Sequence, residues 1–313
     1  MSTAILGAAG YLGRYVTTEL LDRGHDVVAI DIDPDPEALP EAAVTVRGDM
    51  TSFAELSSAI TEHEVTDLIQ LAYFGTPTTG LLHAAEEHPY RASKANVGGF
   101  ANVVEAARQF DLETVVSASS TVVYGTPAYY QDLGIDRVTE EAPLAPESLY
   151  GACKVHNEYL AEMYRDQYGL DIACLRLPLV YGPSRYPGAQ PFIVDMFEAA
   201  ASGDAIHLPG GDSTWDLLYE RDVGTLFADV LEAGTCEHPS YNIVGHTVTV
   251  RELAELAREH GASEADISVA AGDEAPLPAP LVDTRIRSDV GWDPAYDAET
   301  AVLDYLQQLQ DRA

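Results

Sequence analysis

Lysine is almost absent from this chain, and positive charge is scarce throughout. Among 313 residues there are 17 lysines and arginines against 51 aspartates and glutamates, and only Lys94 and Lys154 are lysines. The formal net charge of −34 at pH 7 repels nucleic acid and anionic membranes, so neither is an expected partner. Acidic excess with so little lysine is typical of proteins that work in molar salt, where the Debye length falls to about 3 Å. We therefore expect a halophilic protein.

Cysteine and long apolar runs are also scarce. Cys153, Cys174 and Cys236 are far apart, odd in number and without metal-type spacing, so free thiols are expected. No apolar run approaches the roughly 20 residues that a membrane span needs. The first residues lack the basic flank of a signal peptide. These absences favour a cytoplasmic protein.

What the sequence does have is a core. Its 46% apolar content is enough for one large α/β domain, or for one domain with a smaller lobe. Strand and helix patterns alternate as far as residue 183, which predicts a doubly wound parallel sheet. The alternation then breaks down, so we expect residues 178–313 to form mainly a smaller lobe beyond a domain at 1–177.

A glycine-rich loop follows the first predicted strand. Strand 3–6, a loop with glycines at positions 7, 10 and 13, and a helix to residue 22 form a phosphate-binding turn, because glycine lets the backbone approach a pyrophosphate at the helix N-terminus. The second strand, 26–30, ends at Asp31, whose carboxylate suits ribose hydroxyls and repels a 2′-phosphate. NAD is thus favoured over NADP. The residues expected to touch it here are Gly7, Gly10, Tyr11, Leu12, Asp31 and Ile32.

Two acidic segments resemble metal sites, but the spacing of their candidate ligands does not match that of a calcium loop or a zinc helix. Residues 31–35 resemble the opening of a calcium loop but lack glycine at the sixth position and glutamate at the twelfth. His83, Glu86, Glu87 and His88 do not have the spacing of a zinc helix. We expect no metal, and we interpret residues 73–93 as a solvated loop or short helix.

Tyr150 and Lys154 are four residues apart in a predicted helix, 149–168, so their side chains share one face. A phenol with a pKa near 10 is a poor base at neutral pH, and a neighbouring ammonium lowers that pKa by favouring the phenolate. Tyr150 is therefore the expected base for a substrate hydroxyl, with Lys154 as its electrostatic partner. Retention of a lysine here, in a chain with only two, supports that interpretation.

Ser120 ends the fifth predicted strand, 114–120, at the carboxyl edge where open α/β sheets bind ligands. It is the candidate hydroxyl for bonding the substrate oxygen beside Tyr150. Serines at strand ends are equally often caps of the following turn.

Together these residues resemble the extended short-chain dehydrogenase/reductase family, of the NAD-dependent epimerase/dehydratase type. The ordered landmarks are Gly7/Gly10/Gly13, Asp31, Gly48-Asp49-Met50, Leu71-Ala72, Asn96-Val97-Gly98-Gly99, Ser119-Ser120, Val123-Tyr124-Gly125, Tyr150/Lys154, Arg176, Val180-Tyr181-Gly182-Pro183 and Val290-Gly291-Trp292. The resemblance implies a Rossmann-type NAD domain with a C-terminal substrate lobe, and Ser120, Tyr150 and Lys154 as the catalytic triad. It also implies further NAD contacts from Asp49, Met50, Leu71, Ala72, Tyr73, Asn96, Leu177 and Pro178.

The chain departs from this family on the substrate side. Leu179 stands where sugar-nucleotide enzymes commonly carry Asn, and Trp215 near where they carry Arg, so two usual diphosphate ligands are missing. Arg185, Arg221 or Arg285 could substitute, and Thr126 is a candidate polar contact. Longer segments at 71–96 and 129–137 are expected to narrow the pocket.

The departures favour an NAD-dependent dehydrogenase of a free sugar. The alternatives are a nucleotide-sugar 4-epimerase or dehydratase with tightly held NAD and, in a different class, a non-catalytic NAD-sensing scaffold. Relatives often pair two helices across a two-fold axis, and apolar stripes at 94–110 and 149–168 predict such a homodimer here.

Overall fold

The structure, a computed structural model, describes residues 2–35, 39–76, 79–185, 191–273, 275–278 and 280–312. Its strands are β1 (Ser2–Leu6), β2 (Asp26–Asp31), β3 (Val44–Arg47), β4 (Val65–Gln70), β5 (Thr114–Ser120), β6 (Ile172–Leu177), β7 (Leu179–Tyr181), β8 (Ala205–Leu208), β9 (Thr214–Tyr219), β10 (Ser240–Asn242), β11 (His246–Thr249) and β12 (Asp266–Val269). Its α-helices are α1 (Gly13–Asp22), α2 (Phe53–Glu62), α3 (Gly80–Glu87), α4 (Pro89–Ser93), α5 (Phe100–Gln109), α6 (Pro127–Asp132), α7 (Leu149–Tyr168), α8 (Pro191–Ser202), α9 (Asp222–Glu232), α10 (Val250–His260), α11 (Thr284–Asp289) and α12 (Ala298–Arg312).

A parallel sheet of seven described strands forms the centre of the fold, in the order β3-β2-β1-β4-β5-β6-β10. Strands β5 and β6 are buried along nearly their whole length, as expected for strands covered on both faces. The prediction of a doubly wound, Rossmann-type sheet is confirmed. Its last strand, β10, comes from the C-terminal part of the chain, which therefore contributes to the sheet as well as to the lobe.

Two apolar clusters cover the two faces of this sheet. On one face α1 and α9 pack against it, with Val16, Leu20 and Phe227 fully buried. On the other face α2, α5 and α7 contribute Leu56, Phe100 and other buried side chains. Because both faces are covered, the open surface of the sheet is its edge, where the strands end.

Helix α7 carries the Tyr/Lys pair, and local sequence sets its bounds. The Ser148 hydroxyl accepts a hydrogen bond from the Gly151 N–H, which caps the first turn. Gly169 ends the helix with φ 72°, a left-handed conformation that favours glycine. The predicted helix 149–168 is confirmed. The predicted helix 94–110 begins instead as a π-helical turn, Lys94–Gly99, before α5.

A smaller lobe lies beyond the sheet edge. It contains the three-stranded sheet β11-β9-β7, the parallel pair β12-β8 and the helices α8, α10 and α12 around one aromatic core. Only some of these strands were expected, because each has three to six residues and lacks a clear period. Within the described ranges, no helix has the length and apolar character to span a bilayer.

Candidate active site

A large cavity opens where the order of strands reverses, between β1 and β4. The Leu71 N–H donates to the Leu6 carbonyl at 2.9 Å, which holds the ends of these two strands together. Ligands of open α/β sheets bind in this crevice, beyond the carboxyl ends of the strands. The cavity measures about 1050 Å³ and runs from the glycine loop to Ser120, Tyr150 and Lys154.

The glycine loop has no room for side chains. Gly7 has φ +85°, and a Cβ there would lie 2.8 Å from the Ala72 backbone nitrogen. A Cβ at Gly13 would lie 2.2 Å from the Gly7 carbonyl oxygen, because the start of α1 packs directly on the loop. The glycines are needed for this close packing, so the loop predicted from spacing forms as expected.

The N-terminus of α1 suits an anion. Its N-cap, Leu12, has no side chain that could cap the helix, and the first turn contains no acidic residue. The first N–H groups of a helix lack intrahelical partners and carry the positive end of the helix dipole. A pyrophosphate at this point of the cavity would satisfy them.

Asp31 lies against the glycine loop at the end of β2. Its carboxylate accepts hydrogen bonds from the backbone N–H groups of Ala9, at 3.1 Å, and Asp33, at 3.2 Å. Both Asp31 and Ile32 line the cavity. The carboxylate is thus held beside the loop, where a ribose linked to a pyrophosphate would lie. The loop, the uncapped helix and this carboxylate together fit a dinucleotide.

Lys154 is buried at the far end of the cavity, with 4% of its surface exposed. Its ammonium donates to the Ala118 carbonyl at 2.6 Å and lies 3.5 Å from the centre of the Tyr73 ring and 5.5 Å from that of Tyr150. Burial lowers the pKa of Lys154 to about 7. The predicted pair therefore comes together in the fold, with Tyr73 as a third member.

Ser120 lines the same end of the cavity. Its oxygen accepts a long hydrogen bond of 3.4 Å from the Val122 N–H. The hydroxyl proton does not take part in this contact. Ser120 therefore caps a turn, and its role toward a substrate oxygen stays a prediction.

A buried ion pair underlies the catalytic end. Ser119, on the cavity wall, donates to the Glu158 carboxylate at 2.5 Å, and Arg176 binds the same carboxylate at 2.8 Å. Arg176 also donates to the Tyr124 hydroxyl at 2.6 Å, and Tyr124 donates to Asn242 on β10 at 2.7 Å. This network ties strand β5, helix α7 and the last strand of the sheet into one rigid floor.

The segment after β4 forms a second wall of the cavity. Within this segment, residues 80–87 and 89–93 form α3 and α4 with Ala84, Ala85 and Ala92 buried, so the short helix, of the two alternatives, is right for these residues. Ala85 and Ala92 pack with the Tyr150 ring. Wall residues from this segment include Phe74, Leu81, His83, Glu86 and Arg91. This longer segment borders the cavity, and its narrowing of the pocket stays a prediction.

Eighteen of the residues predicted from the sequence line the cavity: Gly7, Gly10, Tyr11, Leu12, Asp31, Ile32, Asp49, Met50, Leu71, Ala72, Tyr73, Ser120, Tyr150, Lys154, Leu177, Pro178, Leu179 and Arg185. Asn96 does not. It is fully buried behind the wall, where its side-chain oxygen accepts from the Phe74 N–H at 2.8 Å. Asn96 therefore shapes the wall instead of facing the cavity.

Two predicted substrate residues are also away from the cavity. Thr126 is the N-cap of α6, and its hydroxyl oxygen accepts from the Tyr129 N–H. Trp215 packs on Phe192 in the lobe core, with ring centres 5.6 Å apart. The extra residues 129–137 pack in a separate apolar cluster around Tyr130, so they do not narrow the pocket as expected.

Only one of the three arginines considered as substitute diphosphate ligands lines the cavity. Arg221 forms an ion pair with Asp304 at 2.8 Å, and Arg285 pairs with Glu141. Arg185 follows β7, lies 5.9 Å from the centre of the Tyr11 ring, and has a buried Nε without a hydrogen-bond partner among the described residues. Its Nε, next to the glycine loop, is a hydrogen-bond donor that an anion in the cavity could satisfy.

Several residues of the cavity wall were not predicted from the sequence. One of them, Lys94, could have been, because the scarcity of lysine that supported Lys154 applies equally to Lys94. Both lysines of the chain line this cavity. Phe74, Leu81 and Arg91 gave no periodic signal, because α3 and α4 are short. Glu158 was missed although it is one helical turn after Lys154.

Comparison with known proteins gives a family match. A family model described as the NAD dependent epimerase/dehydratase family matches residues 3–244. A UDP-glucose 4-epimerase of Mycolicibacterium smegmatis is 32% identical over 237 residues, which are 72% of this chain and 72% of that protein. Similar sequences are thus mainly those of UDP-glucose epimerases.

Solved structures agree on the fold. The Thermus thermophilus UDP-glucose 4-epimerase in complex with NAD has a TM-score of 0.81 at 24% identity, with all of both chains covered. A partial consensus L-threonine 3-dehydrogenase has a TM-score of 0.82 at 25% identity, over 99% of this chain and 100% of the other. Two proteins with different activities, a UDP-glucose 4-epimerase and an L-threonine 3-dehydrogenase, therefore have folds closely similar to that of this chain.

Proposed function

Because this chain belongs to the NAD-dependent epimerase/dehydratase family, we propose that it is a nucleotide-sugar 4-epimerase that keeps its NAD bound between turnovers. The similar epimerase sequences favour this alternative over the free-sugar dehydrogenase that Leu179 and Trp215 suggested. The carrying observation is Arg185, which lies on the cavity wall and whose buried Nε has no hydrogen-bond partner among the described residues. A diphosphate matches the donor geometry of a guanidinium.

Bound NAD supplies the hydride acceptor and donor, and the residues of this chain hold and deprotonate the sugar. Tyr150 takes the proton of the sugar hydroxyl, and Ser120 donates a hydrogen bond to the same oxygen as it becomes a carbonyl. Lys154 supports the phenolate of Tyr150 by its charge. In an epimerase the hydride returns to the other face of the same sugar, so no NADH accumulates.

The cavity extends from the glycine loop to Tyr150. Pockets that hold one drug-sized ligand measure about 300–1,000 Å³, and this cavity, at about 1050 Å³, lies at the upper end of that range. The wall near Tyr150 combines apolar side chains, such as Leu81 and Leu179, with polar ones, such as His83 and Arg91. We assign the half of the cavity near Tyr150 to the sugar nucleotide. Residues 178–313 then contribute only part of the sugar-nucleotide binding site.

The direct experiment is calorimetric titration of the NAD-loaded protein with UDP-glucose and UDP, in molar KCl. Arg185→Gln is expected to weaken UDP binding by about tenfold or more, since a charged hydrogen bond contributes about 1.5–3 kcal/mol. Arg285→Gln is the matched control, because Arg285 is already paired with Glu141 away from the cavity. No binding of UDP-sugars, with NADH released from a free sugar, would reject the proposal.

The second candidate is a dehydrogenase that releases NADH. Leu179 supports it, since an apolar side chain replaces an amide on the cavity wall, and so does the fold shared with an L-threonine 3-dehydrogenase. Absorbance at 340 nm separates the two: an epimerase forms product without NADH, and a dehydrogenase forms both in equal amounts.

A homodimer through α5 and α7 is also proposed. Phe110, Tyr159 and Tyr168, at the end of α5 and on α7, are 37%, 71% and 54% exposed. An isologous interface would bury these rings. Light scattering in molar KCl should give twice the mass of one chain. The Tyr159→Glu variant should give the mass of a single chain.

A further inference from the structure

Lys154 has an unusual environment for an ammonium that must stay charged. It is buried, and within the described residues no carboxylate lies within ion-pair distance of its Nζ. Its ammonium donates to the Ala118 carbonyl at 2.6 Å, and an ammonium has three donors to satisfy. The nearest carboxylate on its own helix, Glu158, is held by Arg176. Some other group has to compensate for the lost water.

Tyr73 is that group. Its ring centre is 3.5 Å from Nζ, well inside the roughly 6 Å within which a ring face attracts a cation. The same ring makes an edge contact with Tyr150, with centres 5.2 Å apart and planes at 84°. Tyr73 therefore touches both members of the catalytic pair.

The Tyr73 ring is itself fixed from behind. The Asn157 side chain donates to the Tyr73 hydroxyl at 3.4 Å and to the Asn96 carbonyl at 2.9 Å. Asn96 in turn accepts from the Phe74 N–H. Asn157 thus contacts the hydroxyl of the ring, and Asn96 holds the backbone of the next residue from behind the wall.

We propose that Tyr73 is a positioning residue: its ring face holds the Lys154 ammonium against the Ala118 carbonyl and beside Tyr150, so that the lysine stays charged in a dry site. The proposal rests on the proposed roles of Tyr150 and Lys154. It assigns no proton transfer to Tyr73, whose pKa is raised by burial, so the phenol stays neutral.

Other titratable groups around Lys154 are few. On α7 they are Tyr150, Cys153 and Glu158, and on β6 there is Cys174. Burial raises the pKa of both thiols, so they are uncharged near neutral pH. The Ala118 carbonyl and the ring face of Tyr73 are then the nearest groups of negative potential that do not titrate with Lys154.

The lysine content makes a direct test practical. Protein labelled with [6-¹³C]lysine has two signals, and Lys94→Arg removes one and so assigns the other to Lys154. Titration of the NAD-free protein then follows the Lys154 pKa, which lies at about 7. No substrate is needed, so failure of this proposal is distinguishable from failure of the epimerase assignment.

Tyr73→Leu is expected to lower the Lys154 pKa by about one unit or more, since a desolvated cation–π contact contributes about 2 kcal/mol and one pKa unit is 1.36 kcal/mol. Tyr73→Phe keeps the ring and is the matched control, with a pKa close to that of the wild type. In turnover assays, the alkaline limb of the pH profile should move down with the lysine pKa.

A fluorinated series removes any doubt about folding. Phenylalanine, 4-fluoro-, 3,4,5-trifluoro- and pentafluorophenylalanine at position 73 keep the ring shape while the negative potential of its face declines. A stepwise fall in the Lys154 pKa along this series supports the proposal. A flat series, or a pKa that rises in Tyr73→Leu because water enters, overturns it.

Discussion

The two halves of the cavity are built in different ways. The half next to β1 and β2 is made of backbone: glycines too crowded for a Cβ, an uncapped helix end and one carboxylate at a strand end. The half next to Tyr150 is made of side chains from short, separate elements, α3, α4 and β7. The first suits a ligand common to a whole family, and the second can be changed residue by residue. Substrate choice should therefore change without loss of NAD binding.

Tyr150→Phe is expected to have the largest effect on activity, because Tyr150 lies where the cofactor half and the substrate half of the cavity meet. We expect turnover to fall by about two to four orders of magnitude, because the general base is lost. NAD affinity should stay near that of the wild type, since the glycine loop is untouched. Turnover above about a tenth of the wild-type rate would show that another group is the base.

Gly7→Ala is expected to weaken NAD binding and to leave the substrate half of the cavity unchanged. Its Cβ would meet the Ala72 backbone at 2.8 Å, so the loop must shift, and we expect NAD affinity to fall by about tenfold or more. Gly24→Ala is a matched control, because Gly24 has the same φ of +85° with nothing within 4 Å. Equal losses of NAD binding in the two variants would mean that backbone strain, and not close approach, explains the effect.

Leu81→Ala should damage only the substrate half. Leu81 packs with the Tyr150 cluster and lines the cavity, so its loss should raise the KM of the sugar nucleotide several-fold and leave the NAD dissociation constant unchanged. Leu303→Ala, on the exposed side of α12, controls for general destabilisation. A parallel loss of NAD binding in Leu81→Ala would show that the two halves are coupled.

Salt is expected to stabilise the whole protein, including both halves of the cavity. The net charge of −34 predicts that the melting temperature rises with KCl concentration, since salt screens the repulsion among surface acids. Thermal melts of the NAD-free and NAD-loaded protein from dilute buffer to molar KCl would measure the two slopes. A flat or falling curve in both forms would contradict the halophilic prediction.

The sequence alone predicted most of the cofactor half and much of the sheet, since these depend on short-range patterns. Strand, glycine loop, helix and Asp31 follow each other within about thirty residues, and each step has a local physical cause. The Tyr150/Lys154 pair was also predictable, because four residues along one helix fix which side chains share a face.

Tertiary structure decided the rest. Arg185, Arg221 and Arg285 look equivalent along the chain, and only packing determines that Arg185 reaches the cavity while the others find acidic partners. Trp215 and Thr126 are turned away for the same reason, in the lobe core and at a helix cap. The Tyr73 ring reaches Lys154 across 81 positions of sequence, because the segment that follows β4 meets helix α7 only when the sheet is assembled. Side-chain direction in short elements depends on such long-range contacts, and no local period records it.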